Sequence, residues 1–376
     1  MDTTITTATP MTTKIIKPPL QVNGNHEINT TTNSNDTEAD PSYPVFRRIA
    51  IYLNTVDPTG TLSFTYLTEG AANTIWLIRF SPSSNLYHHD SALVLRLRKN
   101  ISSTLPMTIL RTQFEERIAP LFIFDPILLL PMHLIKISDG IVQTLNAQLR
   151  DLEANRQRKE MRQGIYHPSF EAEPYAMLMP NLAHGEGTVI EFKPKWLVQS
   201  PSAPRDAQQC RTCALNAMRR ATKRGSGRGD SGFCPFDLLS SHEKILAGAL
   251  RQVWSDEKTL SAFVKAFRWR VQPALRQLQR LQLDENGVGL EDFRRPDERD
   301  FSVAMALRDC SVLLKAVVFA QDGSVQIPLV KFLDLDLKDA SGGKVEKWAK
   351  MEETLIDSGW YSSQRCPEVQ CAMAYG

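Results

Sequence analysis

Short runs of β-branched and aromatic residues dominate the chain between Arg47 and Arg98. Clusters of Gly, Pro, Asn and Ser, which favour turns, separate these runs. A similar run, Tyr175–Met179, ends at the dipeptide Pro180-Asn181. The pattern predicts a β-rich first lobe whose strands fall near Ile51–Leu53, Leu62–Leu67, Thr74–Phe80 and Ala92–Leu97.

Apolar residues at helical spacing prevail in the second half of the chain. Lys244–Leu283 repeats apolar residues every three or four positions, so that Leu275, Leu278 and Leu281 share one face. Shorter helical patterns occupy Thr112–Ile118 and Gln143–Arg162. The chain is therefore predicted to be an α+β protein with a largely helical second lobe.

Two strand-like apolar runs each contain carboxylates. Val303–Leu314 holds Asp309, and Val330–Leu337 holds Asp334 and Asp336. A buried carboxylate is costly, so it usually binds a metal, orients a nucleophile or forms an ion pair. A structural ion pair, for example with Arg308, remains an alternative.

Both ends of the chain lack the pattern of a packed core. Residues 1–43 contain eleven Thr and no aromatic residue before Tyr43, which is typical of a disordered arm. A mitochondrial presequence is disfavoured because the arm has no Arg and several acidic residues. We expect an N-lobe at 44–180, a C-lobe at 181–361 and a loose tail at 362–376.

Composition and charge exclude several classes of protein. The 44 Lys+Arg and 42 Asp+Glu give a formal net charge of +2, so any anionic partner must be held locally. The six cysteines are too few for a disulfide framework in 376 residues, which favours a reducing compartment. The most apolar stretch, 118–135, contains Asp125 and two prolines, so we expect no membrane span.

Small residues between two predicted strands form a candidate phosphate-binding loop. In Glu69–Asn73, the sequence Gly-Ala-Ala would let main-chain N–H groups approach phosphate oxygens, and cations follow in Leu93–Lys99. Nucleotide kinases use such an arrangement. An ordinary hairpin turn is the alternative.

Lysines and arginines form two further candidate anion sites. Strand alternation in Val189–Lys195 would place Glu191, Lys193 and Lys195 on one face, either as a polyanion site or as a protected edge strand. A denser basic segment could bind several phosphates, or alternatively RNA or an acidic protein; it contains Arg205, Arg211, Arg219, Arg220, Lys223, Arg224 and Arg228.

Cysteines and a histidine give a third, weaker signal. His184-Gly-Glu186 followed by Cys210-Arg-Thr-Cys213 imitates a zinc deaminase, but the Pro expected before the first Cys is missing. A structural zinc on Cys210, Cys213 and Cys234 remains open. The alternative is that these cysteines are small buried apolar residues.

Six segments, taken in order, resemble the motifs of the inositol-pentakisphosphate 2-kinase family in a fungal form. They are Glu69–Asn73, Leu95–Lys99, Glu191–Lys195, Phe233–Ser240, Arg308–Ser311 and Asp334–Lys338. The resemblance implies a two-lobed, protein-kinase-like inositol phosphate kinase fold. It also implies transfer of the γ-phosphate of ATP to the 2-hydroxyl of inositol 1,3,4,5,6-pentakisphosphate, which gives inositol hexakisphosphate.

The resemblance also assigns site residues. Asp309 would accept or orient the hydroxyl proton, and Asp334 with Asp336 would bind Mg²⁺. Nucleotide-binding residues would be Glu69, Gly70, Ala71, Ala72, Asn73, Arg96 (with Arg98 as a rival), Met179, Asn181, Glu191 and Lys193. Substrate-binding residues would be Arg162, Lys195, Arg219, Lys338, Lys344 and Trp348.

The chain departs from the family pattern in several ways, of which two bear on site residues and on metal binding. Ser341-Gly-Gly343 lengthens the step to Lys344, which leaves the register of Lys344 and Trp348 open. The family's plant-type zinc site of two His and two Cys has no counterpart, since 237–309 contains only His242. We further expect a monomer, no specific nucleic-acid partner, and a nuclear or cytoplasmic location; a non-catalytic inositol-phosphate or RNA-binding protein is the rival function.

Overall fold

A computed structural model describes most of the chain and divides it into two compact units. The described residues are Ile49, Leu53, 62–84, 86–222, 232–295, 301–338, 343–362 and 371–375. The N-terminal unit includes 62–113 and 130–185, and the C-terminal unit includes 114–129 and the described residues from 186 onward. The predicted arm at 1–43, most of the predicted tail, and Lys223, Arg224 and Arg228 lie outside the described residues.

The N-terminal unit is built on an antiparallel sheet in the order β1-β2-β3-β5-β4. Its strands are β1 (Leu62–Glu69), β2 (Asn73–Phe80), β3 (Leu93–Arg98), β4 (His133–Lys136) and β5 (Tyr175–Pro180). The predicted strands in these regions are confirmed, whereas β4 was missed because its four residues are too short to show alternation. The expected strand at Ile51–Leu53 is wrong at Leu53, which is helical.

Two of the α-helices that accompany this sheet have bounds within the described residues, α1 (Met107–Gln113) and α2 (Asp139–Ala154). Ser138 caps α2, because its Oγ accepts a hydrogen bond from the N–H of Ile141. Leu145 and Leu149 of α2 pack in the same core as Trp76 and Leu95 of the sheet. Helix α2 starts and ends earlier than the helix predicted at Gln143–Arg162.

The C-terminal unit combines a small antiparallel sheet with helices. The sheet order is β6 (Thr188–Phe192), β7 (Ser311–Val318) and β8 (Val325–Leu333). The helices are α3 (Arg211–Thr222), α4 (Glu243–Leu250), α5 (Leu260–Arg270), α6 (Gln272–Asp284), α7 (Leu290–Phe293), α8 (Ser302–Asp309) and α9 (Lys344–Asp357).

One large core joins the helices of the C-terminal unit to its sheet. Phe263 and Phe267 of α5 and Leu275 and Leu278 of α6 pack with Phe332 of β8. The predicted helical region Lys244–Leu283 is thus three helices, and Pro273 lies in the first turn of α6, where it is tolerated. The α+β class is confirmed, and within the described residues no helix is both long and apolar enough to cross a bilayer.

Candidate active site

Two lysines and two aspartates from separate segments meet in the C-terminal unit. The Nζ of Lys195 lies 2.6 Å from Oδ1 of Asp309. The Nζ of Lys193 donates to the main-chain carbonyl of Asp309 at 2.7 Å and to Oδ2 of Asp334 at 3.0 Å. Lys338 adds a third ammonium, 3.4 Å from Oδ2 of Asp309. The fold therefore surrounds Asp309 with cations.

Asp309, Asp334, Lys193 and Lys195 each lie at the end of a helix or strand or within a few residues after it. Asp309 is the last residue of α8, and Asp334 directly follows β8. Lys193 directly follows β6, and Lys195 is two residues further on. Lys195 and Asp334 adopt left-handed φ angles of 59° and 61°; this conformation is uncommon for a lysine, whereas aspartate adopts it more readily. Such backbone conformations cluster at functional sites.

The placement of these residues corrects two predictions. Asp309 ends a helix and does not lie inside a strand, because the apolar run Val303–Leu314 changes from α8 to β7 at Cys310. Lys195 and Glu191 do not share one face of a strand, because β6 ends at Phe192, before Lys195. Lys193 and Lys195 nevertheless converge, through the turn that follows the strand. Glu191 remains on β6, half-buried and opposite Leu313.

Burial and neighbouring charges shift the pKa values of the residues in this cluster. Burial alone would favour the neutral form of Asp309, but the ammonium groups of Lys195 and Lys338 outweigh it and lower its pKa to about 2. Burial disfavours the charge of Lys193, yet Asp334 and Asp309 raise its pKa. Burial lowers the pKa of Lys195, and Lys193 and Arg219 act in the same direction. Arg219 therefore contributes to the positive field of this cluster.

A buried glutamine, which no sequence motif identified, holds the main chain of the cluster. The side chain of Gln282 donates to the carbonyls of Lys195 and Leu307, both at 2.9 Å, and accepts from the N–H of Leu197 at 2.8 Å. It lies on the buried face of α6 with Leu275 and Leu278. A polar residue on an otherwise apolar helix face is the signal that could have found it.

Replacing this glutamine should destabilise the protein. Gln282→Leu leaves two buried carbonyls and one N–H without their side-chain partner, so we expect the free energy of unfolding to fall by about 1–3 kcal/mol. Gln279→Leu is the matched control on the same helix, because Gln279 makes one hydrogen bond, to the carbonyl of Leu197 at 2.9 Å. Urea unfolding that finds the Gln279 variant equally destabilised would contradict this role of Gln282.

The partners of Arg308 and Arg211 differ from those that the sequence interpretations expected. Arg308 donates to the carbonyls of Glu285, Ala304 and Gln282 and to Asn286. The suggested pairing of Arg308 with an Asp is therefore not found within the described part of the chain. Arg211 pairs with buried Glu352 at 2.7 Å, so it is not available to an anion as the basic-segment hypothesis assumed. Both guanidinium groups lie over the ring of Trp196.

In the N-terminal unit, the candidate phosphate loop connects β1 to β2 and is held by buried charges. Glu69 accepts two hydrogen bonds from Arg158, both at 2.9 Å, and pairs with Lys99. Lys99 also donates to the carbonyl of Gly70 at 2.9 Å. Burial would raise the pKa of Glu69, but hydrogen bonds from Arg158 and Lys99 outweigh it and lower that pKa. Glu69 thus fixes the shape of the loop.

The tip of this loop presents main-chain groups outward. Gly70 and Ala71 are exposed and Ala72 is half-buried, while Asn73 begins β2. The N–H of Gly70 donates to the carbonyl of Asn73 at 2.9 Å. Among the described residues, the N–H groups of Ala71 and Ala72 donate to no protein acceptor. Two such groups on one turn suit a phosphate oxygen.

The two rival arginines on β3 differ in their surroundings. Arg98 is committed to an ion pair with Glu173 at 2.8 Å, and its side chain is only 12% exposed. Arg96 is half-buried between Ile75 on β2 and Met177 on β5. The ion pair with Glu173 leaves Arg98 less available to an anion.

The segment that contains Met179 and Asn181, two of the predicted nucleotide-binding residues, is shaped by one asparagine. The Nδ2 of Asn181 donates to the carbonyl of Ser91 at 2.7 Å, and its N–H donates to the carbonyl of Ala92 at 2.8 Å. Met179, two residues earlier, is buried against Leu77 and Val94. The side chain of Asn181 therefore fixes the position of this segment next to Ser91.

Four other predicted site residues are described by their positions within their own units. Lys344 and Trp348 belong to α9, and the Trp348 ring packs 6.0 Å from that of Phe293. Asp336 is half-buried beyond the end of β8. In the N-terminal unit, Arg162 ends a short 3₁₀ helix, and its charge acts on Lys99.

Comparison with known proteins places these observations in context. The family model described as inositol-pentakisphosphate 2-kinase matches residues 66–354. An inositol-pentakisphosphate 2-kinase from Yarrowia lipolytica is 33% identical over 191 residues. That similarity covers 50% of this chain and 58% of the relative, so it spans little more than half of the relative's length.

Proposed function

The chain belongs to the inositol-pentakisphosphate 2-kinase family, and we propose that it transfers the γ-phosphate of ATP to the 2-hydroxyl of inositol 1,3,4,5,6-pentakisphosphate. The product would be inositol hexakisphosphate. The observation that carries this proposal is the convergence of Lys193, Lys195 and Lys338 on Asp309. A polyanionic acceptor needs clustered cations, and phosphoryl transfer to a hydroxyl needs a carboxylate that orients it.

The low pKa of Asp309 fits a role that depends on the substrate. With three ammonium groups nearby, the carboxylate is a weak base before substrate binds. Phosphate groups that pair with Lys195 and Lys338 would offset their positive charge and raise the pKa of Asp309. Asp309 would then orient the 2-hydroxyl and accept its proton as the bond to phosphorus forms.

Asp334 is suited to hold Mg²⁺ together with nucleotide phosphates. Its carboxylate is 57% exposed and shares the ammonium of Lys193 with Asp309. Over the described ranges, no three carboxylates converge on one point, so the ion would take its other ligands from phosphate oxygens and water, as Mg²⁺ commonly does. When bound, the ion would neutralise charge on the transferring phosphate. Asp336 is proposed as the accompanying carboxylate.

Nucleotide-binding roles are proposed for residues of each unit separately. In the N-terminal unit, the loop at Gly70–Ala72 and Arg96 would contact phosphates of ATP, and the segment at Met179–Asn181 would hold adenine. In the C-terminal unit, Glu191 and Lys193 would contact the nucleotide. A protein-kinase-like fold is part of this proposal. Arg219, Lys344 and Trp348 would contact the inositol phosphate together with Lys195 and Lys338, and Arg162 is proposed as a further substrate-binding residue.

A direct assay tests the proposed reaction. Purified full-length protein is incubated with ATP, Mg²⁺ and inositol pentakisphosphate, and the products are separated by anion-exchange chromatography. We expect ADP and inositol hexakisphosphate in equal amounts. ATP that stays intact while the inositol phosphate or RNA still binds would favour the non-catalytic alternative instead.

Substitution of Lys195 should weaken substrate binding more than chemistry. A charge-assisted hydrogen bond to phosphate contributes roughly 1.5–3 kcal/mol, so Lys195→Met should raise KM for inositol pentakisphosphate by about 10- to 100-fold. Because one cation is lost, the dependence of KM on salt concentration should also become shallower. Lys265→Met is the control, since Lys265 is exposed on α5. Steady-state kinetics that show an unchanged KM for the Lys195 variant would remove this residue from the substrate site.

A further inference from the structure

Four cysteine side chains from three separate segments meet in the interior of the C-terminal unit. Cys210 directly precedes α3 and Cys213 lies in its first turn. Cys234 precedes the short 3₁₀ helix Pro235–Leu239, and Cys371 lies close to the end of the chain. All four are buried, with exposed fractions of 4% or less.

The spacing of the sulfur atoms is that of a tetrahedral metal site. All four Sγ atoms lie within 4.8 Å of one another. The Sγ of Cys234 is 3.9 Å from that of Cys210 and 3.7 Å from that of Cys371. Zinc–sulfur bonds of about 2.3 Å in tetrahedral geometry separate the sulfurs by about 3.8 Å. A disulfide would require about 2.05 Å, so the four side chains are free thiols.

Main-chain groups support the sulfur atoms from outside the cluster. The N–H of Cys210 donates to Sγ of Cys371 at 3.1 Å, and the N–H of Cys213 points to Sγ of Cys210 at 3.5 Å. Hydrogen bonds of this kind stabilise thiolates that bind a metal. Phe236 and Met373 pack around the cluster and add apolar cover.

A fifth cysteine shows what a cysteine in the core looks like without this arrangement. Cys310 is as buried as the others, but its S–H donates to the carbonyl of Leu307 at 3.3 Å. Burial of small apolar side chains explains Cys310. It does not explain why four sulfur atoms from distant positions in the sequence converge on one point.

We propose that Cys210, Cys213, Cys234 and Cys371 bind one Zn²⁺ ion as thiolates. Four protein ligands in a buried site leave no open position, so the ion is structural and not catalytic. The ion connects the start of α3 to the segment before Pro235 and to residues 371–375. The same helix, α3, contains Arg219. The sequence pattern allows zinc on Cys210, Cys213 and Cys234, and Cys371 completes the set of four ligands.

Metal analysis of the full chain tests the proposal. Protein is purified in reducing buffer without chelator, and its metals are measured by inductively coupled plasma mass spectrometry. We expect one zinc per chain. Cys213→Ser and Cys371→Ser should each lose most of it, while Cys310→Ser, a buried cysteine outside the cluster, should keep it. Replacement of zinc by Co²⁺ should give the strong visible absorption of tetrahedral thiolate coordination.

Measurements on the unaltered chain decide the question even if a cysteine variant fails to fold. Zinc far below one per chain after incubation with Zn²⁺ would overturn the proposal, as would iron in its place. Disulfides among these cysteines, detected by thiol alkylation and mass spectrometry, would overturn it as well. A Co²⁺ spectrum without thiolate features would also count against it.

Discussion

Asp309→Asn should lower kcat by about 10²- to 10⁴-fold, because an amide cannot accept the proton of the attacking hydroxyl. Binding should not suffer in the same way. The substitution removes a negative charge from a group of three lysines, so the phosphates of the substrate meet a more positive site. We therefore expect KM for inositol pentakisphosphate to stay unchanged or to fall.

The separation of kcat from KM distinguishes this role from a structural one. Asp322→Asn serves as the control, since Asp322 is an exposed carboxylate in the turn between β7 and β8. Circular dichroism and thermal unfolding establish that each variant is folded. A folded Asp309 variant with near-normal turnover would show that another group receives the proton.

Glu69→Gln should reduce the free energy of unfolding by about 3–5 kcal/mol, the cost of leaving a buried charge without its partner. The side chains of Arg158 and Lys99 are fully buried, and Glu69 itself is 6% exposed. In the variant, Lys99 loses its carboxylate partner in the interior of the N-terminal unit, and Arg158 keeps only its ion pair with Glu153. The loop at Gly70–Ala72 should lose its fixed shape, so KM for ATP should rise.

The dependence of this effect on pH follows from the direction of the pKa shift. The pKa of Glu69 is lower in the folded protein than in the unfolded chain. Its stabilising contribution is therefore fully present above the unfolded-state pKa of about 4.3. This contribution is lost as the pH falls through the folded-state pKa. The difference in stability between Glu69→Gln and the unaltered chain should therefore shrink in acid.

An exposed ion pair provides the matched control for this experiment. Arg251 and Glu257 lie 3.0 Å apart, but their side chains are 51% and 64% exposed. Exposed pairs contribute about 0–1 kcal/mol, so Glu257→Gln should have little effect. Urea unfolding that shows equal effects for the two substitutions would mean that the Glu69 pairs carry no special stability.

The strands flanking the candidate phosphate-binding loop were predictable because their signals are local. Alternation of side chains and turn-forming residues marked β1, β2, β3 and β5 within a few positions of their observed bounds. The chemistry of Asp309, Asp334, Lys193 and Lys195 was predicted from their residue types in short motifs. Their backbone context was not, because the apolar run through Asp309 fits a strand and a buried helix equally well.

Other parts of the site depend on residues far apart in the sequence. Gln282 reaches Lys195 across 87 positions, and Arg158 reaches Glu69 across 89. Nothing near Arg158 in the sequence distinguishes it from an exposed arginine, and only packing reveals that it is buried. The burial of Arg211 is not predictable for the same reason, since its partner Glu352 lies 141 residues away.

By itself, the sequence determined the α+β class, most strands of the N-terminal unit and the residue types that can bind phosphate and orient a hydroxyl. These properties follow from short patterns of polar and apolar residues and from local motifs. Only the tertiary structure decided which charges are committed to the interior, which surround Asp309, and that four cysteines share one point. Those outcomes depend on long-range packing, because burial and the distances between charges are set by segments that meet only when the chain folds.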